Sequence, residues 1–331
     1  GLYTLFYFRK DETNRRFKAS GVMLGRFLLI LPFIFACGKG GGFVKGTSRE
    51  VVLAYSEDSK FAAGAVYKYF IRVYNTPQPE TLFKIHPIKW ENFKVYQDYR
   101  NKIIFLLPND SLWDLCNKEE GVFIRRDIFA KGDFVVMFCA YDSRTSLRLV
   151  SDNIQGIFDS LNYKMLKEVS NVELMVGVDM GLRKKVKDKF GFYIPIPKGW
   201  NVYYESKDVL VINKHNPDRF ILFFVKEEDE LNFDRVLDIR DSLTSEIYKG
   251  DVALREYSYS VSDYLDGISV LKIYGIWKND SLLVGGPFLT YAFNNNGKFY
   301  LIDAGVYAPE SNNKLGLILR LEGIIRDIKW K

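Results

Sequence analysis

Histidine is nearly missing from this chain, and cysteine is scarce. Its 331 residues hold two histidines, His86 and His215, and three cysteines, Cys37, Cys116 and Cys139. There is no HExxH, no GxSxG and no cysteine pair at ligand spacing. The zinc- and serine-hydrolase signatures are therefore excluded, and neither a structural metal nor a cofactor is expected. His86, in KIHPIKW, reads as a loop histidine beside a proline, and His215, in KHNPD, as part of a turn. Phosphate loops are missing too. The one glycine-rich stretch, GKGGGFVKGTS, places Gly46 between Lys45 and Thr47, which breaks the Walker order. A dinucleotide fingerprint would need glycine where Phe43 stands. Long apolar runs are also lacking, because Phe27 to Ala36 falls well short of the ~20 residues that cross a bilayer as a helix.

That short run has the marks of a secretory signal. Arg9, Lys10, Arg15, Arg16, Lys18 and Arg26 precede it, Pro32 interrupts it, and glycine follows it. Its close, Ile34-Phe35-Ala36-Cys37, resembles a bacterial lipobox, which implies lipidation of Cys37 and removal of everything before it. Met23 opens a compact signal of its own, so residues 1–22 read as upstream sequence. Residues 1–36 carry six Lys or Arg against two acids, which leaves 41 basic and 39 acidic residues beyond them. The net charge of +6 is thus largely a property of the signal, and no nucleic-acid partner is expected. Residues 37–48 read as a flexible tether. No acid follows Cys37 closely, which favours a domain facing the periplasm, and the lipid anchor is expected in the outer membrane. Cys116 and Cys139 then remain as an even pair in an oxidising space. A disulfide is possible there, but Cys139 within FVVMFCAY reads as a small buried hydrophobe.

Beyond the tether the periodicities divide the chain in two. EVVLAY (Glu50–Tyr55) reads as a buried strand, and Ser56 caps a helix in which Ala62, Val66, Tyr69 and Val73 recur at helical spacing. TPQPETLFKIHPIKW, with Pro77, Pro79 and Pro87, reads as an extended loop. NKIIFLLP and GDFVVMFCAY are strands, and a helix from Asp142 or Ser143 carries Leu147, Val150, Ile154, Ile157 and Leu161. This gives an N-terminal α/β domain over residues 49–171. Residues 172–189, with LRKKVKDKF, read as a solvated linker helix. Residues 190–331 form the second domain. There FDRVLDIRDSLTSEIYKG is a helix, Asn296-Gly297 turns a hairpin, and Tyr300, Ile302, Ala304 and Val306 alternate along a strand. Leu317, Leu321, Ile324 and Ile328 mark a final helix. The expected class is α+β: two α/β-sandwich domains, the second a mainly antiparallel sheet flanked by helices.

GIWKNDSLLVGGPFLTYAF (275–293), GVYAPESNNK (305–314) and RDSLTSEIYKG (240–250), with FGFYIPIPKGW, IFAKGDFVVMFCA and EVVLAYS before them, resemble domain of unknown function 4837. That is a family of Bacteroidota lipoproteins. The resemblance implies an envelope location and no particular activity. The order of strands, Ile-Pro-Lys-Gly-Trp turn, helix, hairpins and final helix is also similar to a PsbP-type sandwich, and fold does not fix function.

Two features of the second half invite a functional reading. Asp303 lies in an apolar strand, LIDAGV, and needs a partner if it points inward, although an outward-facing Asp on a half-exposed strand is the commoner case. Gly285-Gly286-Pro287-Phe288 marks a bulge, or a close approach that, with Trp277 upstream and Tyr291 downstream, could line a binding groove for a peptide, a glycan or an envelope protein. The run Glu227 to Glu230 reads as a solvated loop. The expectation that follows is a lipid-anchored, non-catalytic binding or scaffold protein. A carrier of a small apolar ligand and an enzyme with an unfamiliar site are the alternatives.

Overall fold

The computed structural model describes residues 16–17, 43–227 and 229–330. Cys37 and the signal run therefore lie outside the described residues. The chain divides into two compact units, one of residues 1–72 and 83–160, the other of residues 73–82 and 161–331.

In the first unit, strands β1 (Glu50–Tyr55), β2 (Lys84–Lys89), β3 (Asn101–Leu106), β4 (Gly121–Arg126) and β5 (Phe134–Cys139) make one sheet. Its order is β4-β5-β3-β1-β2, with Arg16–Phe17 paired outside β4. Strands β2, β1, β3 and β5 are parallel, and β4 runs antiparallel to β5. The inner strands β3 and β5 are buried at every position, as expected of parallel strands covered on both faces. Helix α1 (Lys60–Phe70) turns Ala62, Ala63, Val66 and Phe70 inward, and Phe70 and Phe83 meet Phe158 edge-on. On another face Trp113, Cys116, Phe123, Met137 and Cys139 share a core with Phe93 of the short helix α2 (Phe93–Tyr96).

Three expectations fail here. Val73 does not continue α1. It pairs with Thr81 in a short hairpin of the second unit. The proline-rich loop contains β2, an edge strand, where Pro87 is tolerated because no neighbour lies beyond to ask for its missing N–H. Cys116 and Cys139 are not free thiols but a disulfide, with both side chains fully buried.

The boundary is also displaced. Helix α3 runs unbroken from Ser143 to Leu174, and the division between units falls within it, after Ser160. Residues 172–189 are not a solvated linker. They hold the turn into helix α4 (Met180–Phe190), which Asp179 caps by accepting from the Leu182 amide and which buries Leu182, Val186 and Phe190.

The second unit is built on seven antiparallel strands: β6 (Asn201–Glu205), β7 (Val209–Lys214), β8 (Asp218–Glu227), β9 (Val252–Leu265), β10 (Ile268–Asn279), β11 (Val284–Asn295) and β12 (Lys298–Tyr307). Their order is β6-β7-β8-β12-β11-β10-β9. Asn296 and Gly297 turn the β11–β12 hairpin with φ of 51° and 71°, the left-handed backbone that Asn-Gly supplies cheaply. Helix α5 (Phe233–Ile247) packs Val236 and Leu237 on one face of the sheet, against Leu222, Ile273, Phe288 and Leu301. Helix α6 (Lys314–Arg326) lies on the other face, so β12 is buried along nearly its whole length. At Gly323 a Cβ would come within 2.6 Å of the Leu166 carbonyl oxygen, so α6 can cross α3 closely only with glycine there.

Candidate functional site

The expected groove does not form. Trp277, Pro287, Phe288 and Tyr291 are all buried, and the register puts Trp277 and Phe288 on the α5 face while the Tyr291 hydroxyl reaches Glu322 of α6. The two glycines serve close approach instead. A Cβ on Gly286 would stand 1.9 Å from the Val306 carbonyl oxygen, and one on Gly285 2.6 Å from that of Trp277.

What the same strands do assemble is a pair of buried polar clusters, one on each side of the sheet. On the α5 side Arg240 and Asp303 are both fully buried, and Arg240 Nε donates to Asp303 Oδ1 at 3.0 Å. The Thr290 hydroxyl donates to the same oxygen at 2.6 Å, Thr290 standing opposite Asp303 in the ladder. Arg240 Nη1 donates to Asp241 at 3.0 Å, and the guanidinium lies 3.9 Å from the centre of the Phe288 ring. Asp303 therefore points inward, contrary to the outward orientation expected of it, with Oδ1 accepting from both Arg240 and Thr290 while Oδ2 and Arg240 Nη2 are buried without a hydrogen bond among the described residues. Beside them Asn279 donates to Asp251 at 2.7 Å. Burial pushes the Asp241 and Asp251 carboxyls above their ordinary value, against the pull of Arg240 on the first and of Asn279 on the second.

On the α6 side Lys272 and Glu322 form a buried ion pair. The Tyr274 hydroxyl lies 3.3 Å from both Glu322 oxygens, and that of Tyr291 lies 3.4 Å from one. Asp263 takes Arg326 and, at 3.4 Å, Lys272. Tyr74, from the short hairpin, stands edge-on to Tyr274 at 5.0 Å. Burial, with the negative charge of Glu322, raises Tyr274 and Tyr291 well above the ordinary tyrosine value, so both stay protonated as donors. Tyr259 is pushed up to about 12 by the same two causes.

Chemically these clusters brace the sheet; they do not present a reacting group to solvent. The first unit repeats the device with Lys102 and Asp133, 2.9 Å apart and fully buried, where Asp133 also accepts from the amides of Ile128, Phe129 and Ala130. His86 stands 3.4 Å from Glu50 in the first unit, and His215 pairs with Asp218 at 2.7 Å in an exposed turn of the second. Among the described residues no group of three His, Cys, Asp or Glu could hold a metal. An open cleft of ≈ 500 Å³ lies beside Pro217, Tyr307, Pro309 and Leu317, with no buried charge in its lining. No helix of the described residues is long and apolar enough to cross a membrane.

Arg240 and Lys272 escaped sequence reading, although each carries a signal. Arg240 continues the apolar stripe of Val236 and Leu237, and Lys272 sits in the alternating strand ISVLKIYGIW.

No curated protein matches the chain. Among solved structures, a protein from Bacteroides thetaiotaomicron VPI-5482 is similar over 42% of this chain and 45% of its own, at 5% identity and a TM-score of 0.27, so the match spans less than half of that relative. The cyanobacterial PsbP (CyanoP) of Synechocystis sp. PCC 6803 is similar over 43% of this chain and 87% of its own, at 11% identity and a TM-score of 0.30. LpqN of Mycobacterium tuberculosis, described as involved in cell envelope biogenesis, is similar over 42% and 82%, at 14% identity and a TM-score of 0.27. The family model matches where the braced sheet lies: residues 179–327, from the cap of α4 to the end of α6, match DUF4837, a domain of unknown function.

Proposed function

We propose that the protein is a non-catalytic binding or scaffold protein of the cell envelope, held to the outer membrane by lipid on Cys37 and facing the periplasm. The observation that carries this reading is the buried Cys116–Cys139 disulfide, since such bonds persist in oxidising compartments and are rare in reducing ones. It agrees with the signal-like run and lipobox of residues 27–37. The inward-facing charges support the non-catalytic half of the reading. Arg240, Asp303, Lys272, Glu322, Lys102 and Asp133 are engaged with one another inside the sheets, where no substrate reaches them.

Cys37→Ser separates anchor from fold. The variant should leave the membrane fraction while keeping its melting temperature, and the wild-type chain from its native host should carry diacylglycerol on Cys37 by intact mass. An unmodified Cys37 in that preparation overturns the anchor. Thiol labelling that finds Cys116 and Cys139 reduced in the host overturns the compartment.

A further inference from the structure

The corner between α3 and α4 exposes apolar side chains that the fold has every opportunity to bury. Val172, Met175, Val176 and Met180 are 55%, 82%, 57% and 65% exposed, yet they lie within nine residues of one another around a tight turn. The Met175 amide donates to the Val172 carbonyl and the Gly177 amide to the Leu174 carbonyl, so the turn is held firmly with these side chains outward. Single exposed hydrophobes are ordinary, whereas four gathered within nine residues around one turn mark a contact surface.

Helix α4 adds the charge. Leu182, Val186 and Phe190 form its buried stripe. Met180, Arg183, Lys184 and Lys187 follow at spacings of three and four, which places them on one face away from that stripe. Arg183 and Lys187 lie 5.1 and 4.7 Å from the centre of the Tyr193 ring, and the Lys198 stem passes beside Gly177 at the turn. The acids nearby are engaged locally. Asp188 pairs with Lys184, Asp179 caps α4, and Glu205 takes Lys185 and Lys189 at the side. A helix that offers methionine with Arg183 and Lys187 on its outer face, and a tyrosine beneath them, has the composition of one that lies in a membrane interface, where long basic stems reach up to phosphate while apolar tips sink below it.

We infer that the α3–α4 corner is a second membrane contact, which seats Met175, Val176 and Met180 in an anionic phospholipid surface with Arg183, Lys187 and Lys198 on the headgroups. The inference rests on the envelope reading only in that a membrane must be within reach. Lipidation of Cys37 can fail without affecting it.

The full chain carrying Cys37→Ser and Met180→Cys has one free thiol, because Cys116 and Cys139 are bonded to each other. A polarity-sensitive fluorophore on that thiol reports on the corner alone, which matters because residues 27–36 can themselves hold the chain on vesicles. On phosphatidylcholine vesicles containing about one-third phosphatidylglycerol the probe should shift to the blue, and on pure phosphatidylcholine it should not. Lys187→Gln and Lys198→Gln should each weaken the response about fivefold, and Met175→Glu should abolish it, at unchanged melting temperature. A probe that stays aqueous on vesicles that retain the chain overturns the inference. So does an equal response to neutral and anionic vesicles, or a shift seen only when envelope proteins are added, which would make the corner a protein contact.

Discussion

A Cβ on Gly286 would meet backbone, not a side chain that can swing aside, and neither Gly285 nor Gly286 has a positive φ. Steric room, not left-handed geometry, is therefore what the GGPF stretch requires. Gly286→Ala should destabilise the protein by about 3 kcal/mol, the upper end for overpacking, less the few tenths returned by a stiffer unfolded chain. Equilibrium urea unfolding measures this, and a loss below about 1 kcal/mol would mean that β11 relaxes away from β12 freely. On the α6 side, replacing Glu322 with Gln leaves the buried Lys272 with Asp263, 3.4 Å away, as its remaining carboxylate, at a cost of about 3 kcal/mol by the same measurement. At this scale the sequence was legible in part. Asp303 stood out among apolar neighbours but read more readily as an outward-facing strand residue, and which arginine would meet it inside, from a helix 63 positions away, depends on tertiary register that spacing alone does not encode. Trp277 and Tyr291 misled for a simpler reason. Their separation of fourteen residues spans two strands, and the antiparallel turn sends them to opposite faces.

Elements were legible where one period governed them. The α5 and β12 patterns follow helical and alternating periods, and Asn296-Gly297 turns its hairpin in the expected place. Reading failed where local chemistry and tertiary context disagreed. Prolines suggested a loop at 77–87, yet the sheet edge accepts β2 with Pro87 in it, and the basic stretch of α4 concealed a buried stripe of three apolar residues. Two predictions belong here. Asp179→Ala removes the cap of α4 and should cost about 1 kcal/mol, read from the urea midpoint. Reducing Cys116–Cys139, which closes 23 positions of chain, should cost about 3 kcal/mol, read as the difference between unfolding curves with and without reductant. A free energy that does not respond to reductant would mean the thiols were never joined.

For the molecule as a whole, buried charge in the second unit sets the response to acid. Burial alone would raise Glu173, but Arg219, Arg320 and Lys214 around it hold its carboxyl below the ordinary 4.5. Burial likewise opposes, and Lys272 and Arg326 overcome it at, Asp263, which lies below the ordinary 3.8. A depressed carboxyl binds its proton later in the folded than in the unfolded chain. Its contribution is complete above the unfolded value and is lost as pH falls through the folded one. Asp241 and Asp251 are raised, so they take up protons earlier when folded and favour the native state as pH first falls from neutral. Stability should thus hold or rise slightly toward pH 5 and fall steeply below about 4.5. Glu173→Gln tests the cause. It leaves Arg219, 5% exposed, without its carboxylate, and should cost about 3–5 kcal/mol at pH 7. Once pH falls through the depressed folded value of Glu173, below the ordinary 4.5, the wild-type carboxyl is neutralised too, and the gap between the two proteins should narrow. Melting temperatures of both from pH 7 down to acid measure that gap. A difference that stays constant across the whole range would place the acid sensitivity elsewhere and reduce Glu173 to a packing residue.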